Sequence, residues 1–191
     1  MIKISHRINT LKDLQTVPNK YGVELDIRSQ GDTLVLHHDP FCEGEPFEAY
    51  LQKYSNGLMI LNTKEEGLEE RILELMKKYA IKDYFFLDLS LPFLVKQCRK
   101  GMKKSAVRFS EYEPLEFVMS FKGLVDWVWV DCFTDMPLTT ENYAVLKRHF
   151  KLCLVSPELQ GFGVDKIDEF KARLAHMPVD AVCTKRPDLW S

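Results

Sequence analysis

Two carboxylates and two imidazoles lie close together near the start of the chain. Glu24 and Asp26 occupy alternate positions in one apolar run, and His37 and His38 directly follow the next apolar run. Alternate side chains of a β-strand point to the same face, so these two carboxylates repel each other unless a cation or a base lies between them. A strand with one polar, solvated face would explain the carboxylates alone. The imidazoles, which exchange protons near neutral pH, favour a chemical site.

The elements that carry these residues form a regular series. Short apolar runs with β-strand character alternate with segments whose apolar spacing is typical of amphipathic helices. The predicted strands span residues 2–5, 22–27, 33–36, 58–61, 84–89, 106–109, 127–130, 152–155 and 181–183. The predicted helices span residues 10–15, 46–54, 68–79, 92–100, 114–121, 141–149 and 164–175, and Thr139 or Thr140 could cap the sixth.

This alternation predicts parallel strands joined by right-handed crossovers. When the short ribbon at residues 33–36 is set aside, eight strands remain, which predicts an α/β fold, a compact single-domain (β/α)8 TIM barrel over residues 1–191. A closed barrel leaves no exposed sheet edge, and a chain that is 46% hydrophobic can bury one sizeable core. An open doubly wound sheet is the alternative, but no Gly-rich phosphate turn follows the first strand.

Composition excludes several classes of partner. The formal charge of −2 gives no sign of a nucleic-acid or acidic-membrane partner. The five cysteines are widely spaced and form no CxxC pair, so we expect reduced core residues rather than a disulfide framework or a zinc site. No run has the length of a membrane span and no apolar leader is recognised. These features predict a cytoplasmic protein and leave its oligomeric state open.

Polar groups follow nearly every predicted strand. In a TIM barrel the chemistry gathers at the carboxyl ends of the strands, so together these groups predict a polar pocket, although each alone could be a solvated strand end. They are His6, Arg7, Glu24, Asp26, Asn62, Lys64, Asp88, Ser90, Arg108, Ser110, Asp131, Ser156, Glu158, Thr184 and Lys185.

Four short motifs resemble those of the glycerophosphodiester phosphodiesterase family, three of them within roughly the first forty residues. They are His6-Arg7, Glu24-x-Asp26, His38-Asp39 and the closing Thr184-Lys185-Arg186-Pro187. The resemblance implies a TIM barrel and a bound divalent metal ion, Mg²⁺ or Ca²⁺. It also implies a hydrolase that cleaves a phosphodiester with two histidines as general acid and general base. A small glycerol- or sugar-type phosphodiester is the expected substrate.

The resemblance also implies individual roles. His6 and His38 would be the catalytic pair, Glu24 and Asp26 metal ligands with Asn62 at the third ligand position, and Arg7 and Lys64 phosphate contacts. Arg108 and Glu158 are candidates for substrate binding at the pocket rim, although surface ion pairs would explain them nearly as well. Which histidine is the acid, and whether the nucleophile is water or a substrate hydroxyl, stays open.

Two departures from the family pattern bear on this assignment. Ile8 stands where the family has Gly, and Asn62 replaces the Glu of the family's Glu-x-Lys motif. An amide oxygen can bind a hard cation, and Mg²⁺ is commonly held by one or two carboxylates with waters, so we expect weaker metal binding. Two alternatives remain open. One is a catalytically inactive barrel that binds a phosphorylated metabolite; the other is a barrel enzyme of unrelated chemistry that uses Lys64 or Lys185 as its base.

Overall fold

The computed structural model describes residues 1–190. The chain divides into two compact units, residues 5–97, here called the N-terminal unit, and residues 1–4 with 98 onward, the C-terminal unit. The first strand, β1 (Ile2–Ser5), runs across this division. That the chain forms a single domain remains a prediction.

The N-terminal unit is built on β2, the longest strand. Its strands are β2 (Gly22–Gln30), β3 (Thr33–Leu36), β4 (Glu45–Pro46), β5 (Met59–Thr63) and β6 (Tyr84–Leu87). Its helices are α1 (Leu11–Leu14), α2 (Phe47–Lys53), α3 (Glu69–Lys78) and α4 (Leu91–Arg99), the last of which continues past the division. Strands β2, β5 and β6 are parallel, as predicted, and β3 pairs antiparallel with β2.

The pairing of β2 with β5 positions the acidic residues. Asp26 pairs directly with Asn62 in the register of these two strands. Residues 22–27 of β2 are all buried, on both faces of the strand, which is typical of a central parallel strand. Glu24 and Asp26 are therefore carried into the interior by the hydrophobic burial of Val23, Leu25 and Ile27.

Strand β2 extends beyond the predicted end at residue 27. Arg28, Ser29 and Gln30 pair with β3, and a two-residue turn at Gly31-Asp32 joins the strands. Gly31 has a φ of 58°, which is the conformation that a type II′ hairpin requires at its first turn position. The connection is thus shorter than the gap at residues 28–32 between the two predicted strands, and β3 returns the chain towards His37 and His38.

The C-terminal unit contains a second run of parallel strands. Its strands are β7 (Ala106–Phe109), β8 (Trp127–Val130), β9 (Lys151–Val155) and β10 (Ala181–Thr184), and they pair in that order. Its helices are α5 (Leu115–Met119), α6 (Thr140–Lys147) and α7 (Lys166–Leu174), with a 3₁₀ turn at Pro157–Gln160. The 3₁₀ turn and the two-residue strand β4 were not predicted, because elements of this length show no periodicity.

The expectation that the five cysteines are reduced core residues is only partly confirmed. Cys132, Cys153 and Cys183 are buried and all five thiols are free, whereas Cys42 is exposed and the prediction of a core position for it was wrong. Cys42 lies in the loop after β3, where the backbone leaves the sheet. None of the helices within residues 1–190 is long and apolar enough to cross a membrane. The cytoplasmic location remains a prediction.

Helix α6 provides a test of local stability. The Thr139 side chain accepts a hydrogen bond from the Asn142 N–H at 3.3 Å, and the Asn142 side chain accepts one from the Thr139 N–H at 2.9 Å. We expect Thr139→Ala to lower the free energy of unfolding by about 1 kcal/mol, because it removes this N-terminal cap. Urea denaturation measures the change, and Thr140→Ala, one position later, is the control. Equal stability of the two variants would contradict the capping role.

Candidate active site

The chain turns sharply directly after β1, at Arg7. This residue has a φ of 54°, a left-handed conformation that residues other than glycine seldom adopt. The turn directs the Arg7 N–H towards Glu24 Oε2 at 2.8 Å, and the next N–H, of Ile8, donates to the Glu24 carbonyl oxygen at 2.8 Å. The bend therefore falls at Arg7, and no glycine is required at position 8.

Glu24 is the most constrained acid of the site. Its side chain is 1% exposed, and its Oε1 accepts a hydrogen bond from Asn62 Nδ2 at 2.9 Å. His6 Nε2 lies 3.7 Å from Oε2. Burial, followed by the nearby charge of Asp26, raises the pKa of Glu24 to about 7, although the hydrogen bonds from Asn62 and Arg7 and the charge of Lys64 oppose this shift.

Asp26 is equally buried and is held from two sides. Its Oδ2 accepts from Asn9 Nδ2 at 2.8 Å, and its own N–H donates to Asn9 Oδ1 at 2.8 Å. Lys64 Nζ lies 3.1 Å from Asp26 Oδ1 and 3.8 Å from Asp88 Oδ2. Asn9 thus anchors both the backbone and the side chain of Asp26. Sequence reasoning missed this role, for which the only signal was an amide shortly after the His-Arg motif.

His38 lies between a cation and an anion. Its Nε2 is 2.6 Å from Arg7 Nη2, and its Nδ1 is 2.7 Å from Asp39 Oδ1. A guanidinium group only donates hydrogen bonds, so Nε2 must accept and the ring proton must reside on Nδ1, where the Asp39 carboxylate accepts it. Arg28 donates two further hydrogen bonds to the His38 carbonyl oxygen. His37 instead contacts the Asp39 backbone through Nδ1.

Asn62 carries the feature that bears most directly on a metal ion. A carboxylate only accepts, so the amide nitrogen faces Glu24 and Oδ1 points away; within residues 1–190 this buried Oδ1 accepts no hydrogen bond. A buried acceptor without a donor is an arrangement that a hard cation would satisfy. The described chain contains no group of three or more His, Cys, Asp and Glu side chains placed for a metal ion. A cation here would therefore depend on the amide.

The two remaining predicted residues belong to the C-terminal unit. Arg108 forms an ion pair with Asp131, which also accepts from Trp129 Nε1 at 3.2 Å and Gln160 Nε2 at 3.0 Å. Burial raises the pKa of Asp131 to about 6, although Arg108 opposes the shift. These contacts do not test the predicted role of Arg108 in substrate binding.

Glu158 has a structural role in the same unit. Its carboxylate accepts hydrogen bonds from Ser156, from Thr184 Oγ1 at 2.5 Å and from the Lys185 N–H at 3.0 Å, and so joins the ends of β9 and β10. The expected substrate-binding roles of Arg108 and Glu158 stay predictions. By contrast, the structure brings seven predicted residues together within the N-terminal unit, namely His6, Arg7, Glu24, Asp26, His38, Asn62 and Lys64.

The fold of the chain is similar to that of several solved structures. A glycerophosphodiester phosphodiesterase from Agrobacterium tumefaciens is 15% identical, with a TM-score of 0.72 over 100% of this chain and 99% of its own. A glycerophosphoryl diester phosphodiesterase from Parabacteroides distasonis is 12% identical, with a TM-score of 0.67 over 98% of this chain and 84% of its own. In its fold, the chain is similar to glycerophosphodiester phosphodiesterases. The resemblance seen in the sequence motifs is thereby confirmed at the level of the fold.

The same comparison confirms the α/β TIM-barrel class. A tryptophan synthase α-subunit from Pyrococcus furiosus is 14% identical, with a TM-score of 0.58 over 98% of this chain and 88% of its own. No family model matches the chain, and no curated protein matches it. At these identities the likeness to glycerophosphodiester phosphodiesterases describes the fold, and the chemistry has to be argued from the side chains.

The raised pKa of Glu24 predicts a pH-dependent stability. The folded-state pKa, about 7, exceeds the ordinary value of 4.5, so the folded protein binds the extra proton between these values. Its free energy of unfolding should fall as pH rises through this window, by about 3 kcal/mol from this group. Glu24→Gln removes the contribution. In metal-free buffer, urea unfolding should show the variant gaining about that much relative to the native chain from pH 4.5 to about pH 8.

The comparison between two pH values cancels any fixed cost of placing an amide at position 24. Glu66→Gln, at an exposed site, is the matched control and should follow the native pH dependence. Parallel pH profiles for Glu24→Gln and the native chain would show that the pKa of Glu24 is not raised in the folded state.

Proposed function

We propose that the chain is a divergent glycerophosphodiester phosphodiesterase, a hydrolase that cleaves a small glycerol- or sugar-type phosphodiester with His6 and His38 as its acid–base pair. The observation that carries the proposal is the position of Arg7. Its backbone contacts Glu24, which lies 3.7 Å from His6, and its guanidinium contacts His38. The guanidinium, which can bind a phosphate, thus lies against His38, while the Arg7 backbone and His6 both lie against Glu24.

Charge is the first requirement of phosphodiester cleavage, because the substrate is an anion that repels nucleophiles. The exposed guanidinium of Arg7 offers a planar fork of donors, and the ammonium of Lys64 offers a point charge. Both are already oriented by the buried acids, Arg7 through its backbone N–H and Lys64 through Asp26. Groups that are held in place before the substrate arrives need little reorganisation during the reaction.

Proton transfer is the second requirement. The lone pair of His38 Nε2 accepts a hydrogen bond from Arg7 Nη2 at 2.6 Å. A phosphoryl oxygen competes for the same guanidinium, and once it binds Arg7 the nitrogen is free to take a proton from water or from a substrate hydroxyl. Asp39 stabilises the imidazolium that results. His6 then donates a proton to the leaving oxygen, with Glu24 balancing its charge.

Glu24, Asp26 and Asn62 would hold a divalent cation, Mg²⁺ or Ca²⁺, in this site. The cation would polarise the phosphoryl group and offset its negative charge. The buried Asn62 Oδ1 supports this assignment because it lacks a donor within residues 1–190. Lys64, 3.1 Å from Asp26, already supplies part of the positive charge. We therefore expect weaker binding than a third carboxylate would give.

Removal of either histidine tests the acid–base assignment. We expect His6→Ala and His38→Ala each to lower turnover of a glycerophosphodiester by about 10²- to 10⁴-fold, because each loses one proton transfer. Turnover is measured with Mg²⁺, Ca²⁺ or Mn²⁺ and with EDTA, and circular dichroism verifies folding. His176→Ala, at an exposed histidine, should retain native turnover.

The same assay separates the alternatives. Native turnover in a folded His6→Ala or His38→Ala variant would exclude that histidine from the proposed acid–base pair. A native chain that binds a phosphorylated metabolite but cleaves no diester in the panel would instead be the catalytically inactive barrel.

A substitution at Asn62 tests the metal site without reference to activity. Asn62→Asp restores a carboxylate at the third ligand position and should tighten Mg²⁺ or Ca²⁺ binding about tenfold or more, because the ligand charge increases. Isothermal titration calorimetry measures the affinity directly. Asn19→Asp adds the same charge at an exposed position and should change nothing. Unchanged affinity in Asn62→Asp would remove position 62 from the ligand set.

A further inference from the structure

A largely apolar cavity of about 320 Å³ lies in the C-terminal unit, at the amino ends of β1 and β10. The residues of the candidate active site follow the carboxyl ends of their strands, and the cavity lining contains none of them. The lining comes from the segment before β1, the end of α7, the segment before β10 and the residues after β10. It includes Met1, Lys171, Leu174, Ala175, Val179 and Trp190.

Trp190 provides a fixed wall of this cavity. The residue is 3% exposed, and its indole N–H donates a hydrogen bond to Ser156 Oγ at 2.8 Å. An indole has one donor and no acceptor, so the ring can offer only apolar surface to a ligand. Leu174 and Val179, which also line the cavity, are buried as well. The apolar part of the cavity is therefore formed before any ligand binds, which is typical of small-molecule sites.

Lys171 is the only residue with a charged side chain in this lining, within residues 1–190. Its Nζ donates to the Leu189 carbonyl oxygen at 3.0 Å and lies 3.4 Å from Asp168 Oδ1. The Asp168 side chain is 87% exposed, so water screens this ion pair and the pair is weak. An ammonium group has three N–H donors, so it can bind a further anion while it keeps its contact with Leu189.

We propose that this cavity binds an amphiphilic monocarboxylate, whose alkyl chain lies in the apolar part and whose carboxylate pairs with Lys171. The site goes beyond the proposed function and does not depend on it. The volume equals roughly ten water molecules' share of liquid water, which suits a chain of about eight carbons with its two carboxylate oxygens. Each methylene that enters the cavity leaves water, and this transfer stabilises the complex.

The lining argues against other ligand classes. A sugar or a phosphate would lose its hydration against apolar side chains that return no hydrogen bonds. An alkylammonium would meet the like charge of Lys171, whereas a neutral alcohol would forgo the stronger hydrogen bond that a carboxylate accepts from an ammonium. A single cation beside an apolar wall therefore selects a single anion on an apolar chain.

Isothermal titration calorimetry on the native chain tests the ligand class with four probes, which are octanoate, butanoate, 1-octanol and octylammonium. Octanoate should bind about tenfold more tightly than 1-octanol, because its carboxylate pairs with the Lys171 ammonium. It should also bind at least about tenfold more tightly than butanoate, which has four fewer methylenes to bury. Octylammonium should bind more weakly than octanoate.

Two variants locate the site. Lys171→Met keeps an apolar stem and removes the charge, so it should lower octanoate affinity about tenfold and leave 1-octanol affinity unchanged. Lys166→Met, on the same helix but outside the lining, is its control. Ala175→Phe fills the cavity and should weaken both ligands at least about tenfold, because their chains lose the apolar space that they bury. Ala172→Phe, at an exposed position of α7, is the control.

Several outcomes overturn the proposal. They are absence of octanoate binding, a preference for 1-octanol or octylammonium, and undiminished octanoate affinity in folded Lys171→Met or Ala175→Phe. The probe comparison and Lys171→Met keep the test decisive should circular dichroism show that Ala175→Phe does not fold. A dimer in analytical ultracentrifugation that Ala175→Phe abolishes would assign the cavity to a second copy of the chain instead. None of these measurements involves turnover, so their failure leaves the proposed function standing.

Discussion

The burial of two carboxylates on one face of β2 is the constraint on which the candidate site depends. Glu24 and Asp26 are each 1% exposed, and an ionised carboxylate without partners is strongly destabilising in such surroundings. Hydrogen bonds from Arg7, Asn9 and Asn62 satisfy three of the four carboxylate oxygens, and Lys64 Nζ lies 3.1 Å from the fourth, Asp26 Oδ1, which accepts no hydrogen bond within residues 1–190. The loop after β1 and the end of β5 are therefore held in place by contacts with two acids on β2.

The negative charge of Glu24 and Asp26 is only partly compensated, and this makes chemistry at the site feasible. Partners with single N–H groups neutralise less charge than a cation does, so desolvation still raises the pKa of Glu24 to about 7. The remaining acceptor capacity includes the buried Asn62 Oδ1. A site that keeps acceptors unsatisfied can receive a cation or a proton, whereas a fully paired network would be only structural.

The fold constrains function less than these side chains do. A glycerophosphodiester phosphodiesterase and a tryptophan synthase α-subunit both share this fold, so the barrel alone selects neither reaction. What favours phosphodiester chemistry is the set of contacts around Arg7, where one side chain reaches His38 while its own backbone contacts Glu24. The left-handed conformation of Arg7 makes both contacts available to one residue.

Local pattern determined much of this protein. The alternation of apolar runs and amphipathic segments predicted nearly every strand and helix, and the Glu24-x-Asp26 spacing placed two acids on one face, because both properties depend only on neighbours along the chain. The tertiary structure alone decided that Asp26 pairs with Asn62 and that Asn9 holds Asp26. These contacts join residues from separate elements. The register of the strands determines which of these residues meet, and that register depends on the burial of the whole core.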